Sequence, residues 1–249
     1  MTSASLVQRQ PIRLRRPENL RGRTRHFSVY VDPALGPDGA KDADVVLEKC
    51  EKDYRQISKW FGGIDAGPFN VILFHYPSGA YHNDCDATDL FCDAPIKPAQ
   101  GTYSEFLNVM EFVEVFEAKQ DTGWDCGKSN GEALSRVLGT DLHPGELDGF
   151  ATAHFWLDST RRNYVDNTSS TDTGYVANGC SVLFLNWLRY QLKHPWQQIV
   201  AAGAPTLGQT YTKLTGKTDG FSRFKALIDA RYPGGHKSRL MKSDNPFPL

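Results

Sequence analysis

The sequence predicts an α+β fold, a small N-terminal sheet with helices followed by a mostly helical C-terminal half. Three observations point there. Two β-rich runs, HFSVYVD at 26–32 and FNVILFHY at 69–76, fall in the first third of the chain. From residue 102 onward apolar residues recur mainly at helical spacing, and the longest polar stretch, 159–177, reads as a loop. With 249 residues, 40% of them apolar and 23% charged, the chain has the composition of one ordinary folded domain.

Residues 1–25 read as a flexible arm. The strand at 26–32 alternates and is broken by Pro33 and Gly36-Pro37. A helix over 41–61 follows from Val45, Val46, Cys50, Tyr54, Ile57 and Phe61, and Gly62-Gly63 stops it. The near-continuous apolar run at 69–76 is a buried central strand. Residues 79–98 read as a loop with a short edge strand. Helices follow over 102–119, from 129 to just before Gly139, and from Pro144 through Trp156. A buried helix over 179–193 ends at Pro195, and shorter helices cover 196–202, 205–214 and 220–230. The domain spans 26–233, and 234–249 is a loose tail. No run reaches the roughly 18 apolar residues of a membrane span. No signal peptide is recognisable, which suits a cytoplasmic protein or the mature form of an exported one.

The net charge of −1 conceals an asymmetry. Residues 1–25 hold seven arginines and one acid, leaving 21 basic and 28 acidic residues in the remainder. Such an arm could grip nucleic acid or an acidic membrane. It has no aromatic residue to stack on a base, so a solvated tail is the plainer expectation and nucleic acid is not an expected partner of the body. Of five cysteines, Cys85 and Cys92 lie in one polar stretch and could close a short disulfide loop. Their spacing suits no zinc ribbon.

The helix TYSEFLNVMEFVEVFEAK carries the chemistry. Phe106, Val109, Val113 and Phe116 fill one face, while Leu107, Val115 and Ala118 flank Glu111 and Glu114 on the other. A helix apolar nearly all round is buried, so both carboxylates need a cation, a donor, a metal or a proton. The i, i+3 spacing puts them on one face, the shape of an acid/base or metal site. Glu132, just inside the next helix, belongs with them, although Ser129-Asn130-Gly131-Glu132 also reads as a capping box. Asn130 and Arg136 are further cleft candidates, since a guanidinium can bridge carboxylates. His75 and His82 flank the buried strand and edge and could reach the same cleft.

On these residues the chain resembles the zincin metallopeptidases of the Glu-zincin branch, over roughly 27–232. There an H-E-x-x-H helix supplies two zinc ligands and a general base, and a downstream glutamate, often in N-E-x-x-[SA], supplies the third ligand. MEFVE at Met110–Glu114 looks like that helix motif with both histidines replaced, and NGEALS at 130–135 looks like the downstream segment. The resemblance implies Glu111 as general base and Glu114 and Glu132 as ligands if a metal binds. Carboxylates without histidine favour calcium, magnesium or manganese over zinc. The degenerate motif implies a pseudo-metallopeptidase without cofactor, serving as a binding or structural module for a peptide or protein. The alternative is an active metal-dependent hydrolase using Glu111, Glu114 and Glu132.

Two further readings remain open. Cys126, close to a helix N-terminus, could be the nucleophile of a cysteine hydrolase with His154 or His143 as base and Asn178 or Asp158 behind it, or it could pair with Cys180. A pure binding module could use the zincin-like cleft or the loop at 163–173, with the aromatic residues Tyr81, Trp124, Trp156 and Tyr164 lining a peptide or sugar groove.

Overall fold

The structure, a computed structural model, describes residues 13–77, 79–94, 100–146, 151–233 and 244–249. Where a single domain is expected, the chain divides into two compact units, one of residues 1–58 and 65–115 and one of 59–64 and 116–249. The class is the expected one, mixed α and β with the sheet in the N-terminal part and helices beyond it.

The first unit is built on five strands in the order β1-β2-β3-β5-β4. They are β1 (Leu20–Arg23), β2 (Phe27–Val31), β3 (Phe69–Phe74), β4 (Ala80–Tyr81) and β5 (Asp89–Asp93). β2 and β3 are parallel neighbours, Phe27 opposite Phe69 and Val31 opposite Leu73, as their apolar runs require. β3 is parallel also to β5, whereas β1 and β4 close the two edges antiparallel. Helix α1 (Gly36–Trp60) makes the β2-to-β3 crossover. It begins earlier than the periodicity suggests. Gly36-Pro37, which reads as a break, is a helix start with Pro in the first turn and Asp38 close behind, where the exposed N–H groups favour an acid.

Helix α2 (Gly101–Gln120) packs on this sheet through Phe112, whose ring centroid lies 5.7 Å from that of Phe27 and 5.8 Å from that of Phe69. On another patch of the sheet, Tyr30, Ile72 and Phe91 form a cluster covered by Leu14, Leu20, Phe74 and Tyr81. The expectation of a flexible arm over 1–25 is therefore corrected for residues 13–25. Leu14 and Leu20 bury apolar surface, Arg15 grips Asp89 at 2.8 Å, and β1 itself lies inside the arm. Residues 1–12 lie outside the described ones.

The expected loop at 79–98 contains β5, whose Leu90, Phe91 and Cys92 are buried in the sheet. Three apolar residues between two aspartates give too short a pattern to read, and the strand forms because β3 offers a parallel partner on that side.

The second unit is helical: α3 (Ser129–Leu142), α4 (Ala153–Leu157), α5 (Tyr175–Asn186), α6 (Trp196–Ala201), α7 (Leu207–Thr215) and α8 (Gly220–Arg231). One π-helical turn, Trp187–Gln191, continues α5. Its core is aromatic, with Trp156 stacked on Phe224 at 5.5 Å and Trp187 on Tyr211 at 5.7 Å. Helices α4 and α5 approach so closely that a Cβ on Gly179 would lie 2.2 Å from the Thr152 carbonyl oxygen. α3 continues through Gly139, where the sequence suggests a stop, because Val137 and Leu138 are buried. The loose tail is also corrected at its end. Asp244 accepts from the amides of Thr152 and Ala153 at 2.9 and 2.8 Å, and Phe247 is buried. Residues 234–243 lie outside the described ones.

Among the described residues no helix is long and apolar enough to cross a membrane.

Candidate functional site

Every residue of α2 from Ser104 to Glu117 is buried. Its polar residues follow a step of three, Glu105, Asn108, Glu111, Glu114 and Glu117, and so wind around the helix as one ridge. A buried carboxylate must find a cation, donors or a proton, and along this ridge two different solutions are visible in the first unit.

The first is at Glu111 and Glu114. His82 follows the edge strand β4 directly, and its side chain is only 5% exposed. Its Nε2 lies 2.8 Å from Oε2 of Glu114 and 3.9 Å from Oε2 of Glu111. The structure thus brings to the two expected glutamates one of the histidines that flank the sheet. An imidazole between two carboxylates can hold a proton as an imidazolium or serve as a ligand beside them.

The second lies one turn and a half towards the start of α2. Asn108 Nδ2 donates to Glu105 Oε2 at 3.0 Å, and both side chains are fully buried. Burial, and next the negative charge of Asp53, push the Glu105 carboxyl well above the usual carboxylate range. The burial of Glu105 thus favours its protonated form. Asp42, at the approach to the start of α2, is raised to about 6 by burial, against which the Gln100 amide acts, with Asp38 and Asp93 adding repulsion. Asp93 is raised by burial too, although it accepts from the Tyr76 amide at 2.6 Å and lies 3.4 Å from His75. Glu105, Asp42 and Asp53 were not singled out in the sequence. The three-residue polar period in α2 was the signal that could have found Glu105.

Glu132, Asn130 and Arg136 lie in the second unit. Arg136, on α3, donates through Nε to Glu132 Oε1 at 2.6 Å, so these two form an ion pair with each other. The capping box does not form. Lys128 is the N-cap, Ser129 N–H goes to the Ser169 carbonyl, and Ser129 Oγ accepts from Ser169 N–H. Asn130 is a structural tie, donating to the carbonyls of Gly123 and Ala204.

The cysteine readings are overturned. Cys85 and Cys126 are disulfide-bonded, whereas Cys50, Cys92 and Cys180 are free and buried. The expected Cys85–Cys92 loop is absent because extended β5 carries Cys92 into the sheet, where burial holds its thiol well above the usual range. Cys126 offers no thiolate, so the hydrolase built on it has no nucleophile, and it does not pair with Cys180. His154 lies against Phe155, ring centroids 4.0 Å apart. The groove proposed from Trp124 and Trp156 fails too. Both are core residues whose indole N–H groups donate to the carbonyls of Val200 and Arg162.

No family model, no curated protein and no solved structure matches the chain.

Proposed function

We propose that the chain is a zincin-like domain whose active helix has become a closed ionic site, and that it works as a binding module rather than as a peptidase. The observation that carries this reading is the contact of His82 Nε2 with Glu114 Oε2 at 2.8 Å. The position at which a zincin helix would present its second histidine holds a carboxylate engaged by an imidazole from the sheet edge. The order strand, helix, strand, antiparallel edge strand, strand, helix supports the likeness. The donor set does not fit the two-histidine zinc centre of that family: Met110 is a buried thioether, and the nitrogen ligand comes from His82. No catalytic step is therefore routed through zinc.

One observation favours a second reading, an active metal-dependent hydrolase: His82 supplies a nitrogen donor beside Glu111 and Glu114. Metal analysis of protein purified without chelator, combined with a general peptide-hydrolysis assay, separates the two. The binding module is expected to carry no stoichiometric divalent metal and to hydrolyse nothing. One equivalent of metal lost in His82→Ala, with hydrolysis lost in Glu111→Gln, would establish the enzyme instead.

A further inference from the structure

Asn167-Thr168-Ser169 is the one Asn-x-Ser/Thr triplet of the chain whose middle residue is not proline. Such a triplet is the acceptor pattern for an N-linked glycan. It also arises by chance, so its surroundings decide what it can do. Asn167 is exposed, as are Asp166 before it and Ser170 just beyond the triplet.

The loop that carries the triplet is pinned on both sides of the acceptor. Asn163 Oδ1 accepts from the amides of Val165 and Asp166 at 3.0 and 2.9 Å, a turn that sets the direction of the chain into Asn167. The Thr168 hydroxyl donates to the Pro205 carbonyl at 2.8 Å, and the Gly208 amide donates to the Val165 carbonyl at 2.9 Å. The Ser169 amide donates to Ser129 Oγ at 3.0 Å, and its carbonyl accepts from the Ser129 amide at 3.3 Å. Both ties of Ser169 run through its backbone. The Asn167 side chain is bound more lightly, Nδ2 donating to the Asn163 carbonyl at 3.2 Å on the exposed surface. That nitrogen has two hydrogens, so one can be replaced while the other keeps the bond.

From this we infer that Asn167 is a modification site that carries an N-linked glycan. The donor is an oligosaccharide on a lipid pyrophosphate. A bond forms from Asn167 Nδ2 to the anomeric carbon, and the bond from that carbon to the pyrophosphate breaks. One Nδ2 proton goes to a base of the transferase, the lipid pyrophosphate leaves, and nothing is oxidised or reduced. A bulky, solubilising group on an exposed loop residue displaces no core contact. The compartment agrees. Cys85 and Cys126 are oxidised, and disulfides persist in the oxidising compartments of the secretory route, where N-linked transfer also takes place. Of the two settings that suit the sequence, cytoplasm and export, this state favours export. The acceptor lies in the second unit, and the inference does not depend on the zincin-like reading.

The test is peptide mapping of the full chain from its own source, before and after peptide-N-glycosidase F. The enzyme is expected to lower the mass by one glycan and to leave Asp at position 167 of the mapped peptide. The same shift is expected when the chain is sent through a eukaryotic secretory host and recovered from medium and cells together. There Asn167→Gln and Ser169→Ala should each abolish the shift, with unchanged far-ultraviolet circular dichroism. Ser169→Ala keeps both backbone ties to Ser129, so its loss reports the acceptor pattern and not the fold. Ser169→Thr restores a hydroxyl at that position and should keep the shift. An unmodified Asn167 in the protein from its own source overturns the proposal. A shift that persists in Asn167→Gln would put the glycan on another residue and equally overturn it.

Discussion

Asp42 sits on α1 with no exposed surface, and its carboxyl is raised from 3.8 to about 6. The folded chain therefore holds its proton more tightly than the unfolded chain does. The resulting stabilisation is complete below about pH 4 and is lost as the pH climbs to about 6, after which an ionised, poorly solvated carboxylate remains. A shift of about two units corresponds to about 3 kcal/mol. Asp42→Asn removes the titration and keeps the shape. Its stability relative to wild type, followed by urea denaturation, is expected to improve by about 3 kcal/mol between pH 4 and pH 7. A constant difference across that range would show that Asp42 does not titrate there. At this scale the sequence was informative about Glu111 and Glu114, because an i, i+3 pair inside an apolar helix leaves few places to go. It offered His82 only as one of two histidines that could reach the cleft, since His82 lies 32 residues from Glu114 and is brought to it by the pairing of β4 with β5.

Among the elements, α2 was the most legible, because its apolar residues surround it and burial on all sides follows from that alone. Its seat on the sheet depends on Phe112, which meets Phe27, Phe69 and, at 6.3 Å, Tyr54. Phe112→Ala leaves a cavity beneath a helix that also carries six buried polar residues. A loss of about 3–5 kcal/mol is expected in chemical denaturation. A loss below 1 kcal/mol would mean that α2 is held elsewhere. Elements defined by partners rather than by their own pattern were not legible. β5 exists because β3 has a free parallel side, and β1 exists because β2 offers an antiparallel edge, although its residues are mostly arginine and glycine. The early start of α1 was misread for a different reason. Gly-Pro is a stop after a strand and a start before a helix, and the two meet at the same position.

At the scale of the whole molecule the chain forms two compact units, and 59–64 belong with residues far along the chain, which no local pattern shows. The oxidation state of the cysteines also belongs to this scale. The sequence offered Cys85–Cys92 by proximity alone, whereas the structure oxidises Cys85 and Cys126 and encloses the other three. Native protein treated with a thiol reagent is expected to take up no label, and denatured but unreduced protein three, at Cys50, Cys92 and Cys180. Reduction should lower stability by about 2–4 kcal/mol. Labelling of Cys85 or Cys126 without reduction would contradict the pairing state described.

Trp60 and Phe61 close α1, yet their aromatic partners are Trp196, at 6.5 Å between ring centroids, and Phe116, at 5.4 Å. During synthesis Trp60 is made 136 residues before Trp196. At about 5–20 residues per second, the indole waits on the order of 10 s for that partner to be made. Meanwhile the nascent chain carries two large apolar side chains whose burial the N-terminal half alone cannot complete. A ribosome stalled between residues 115 and 196 is therefore a sticky intermediate and a natural client for chaperones that bind emerging polypeptides. A separately expressed fragment beginning at residue 116 lacks the same two side chains from its core.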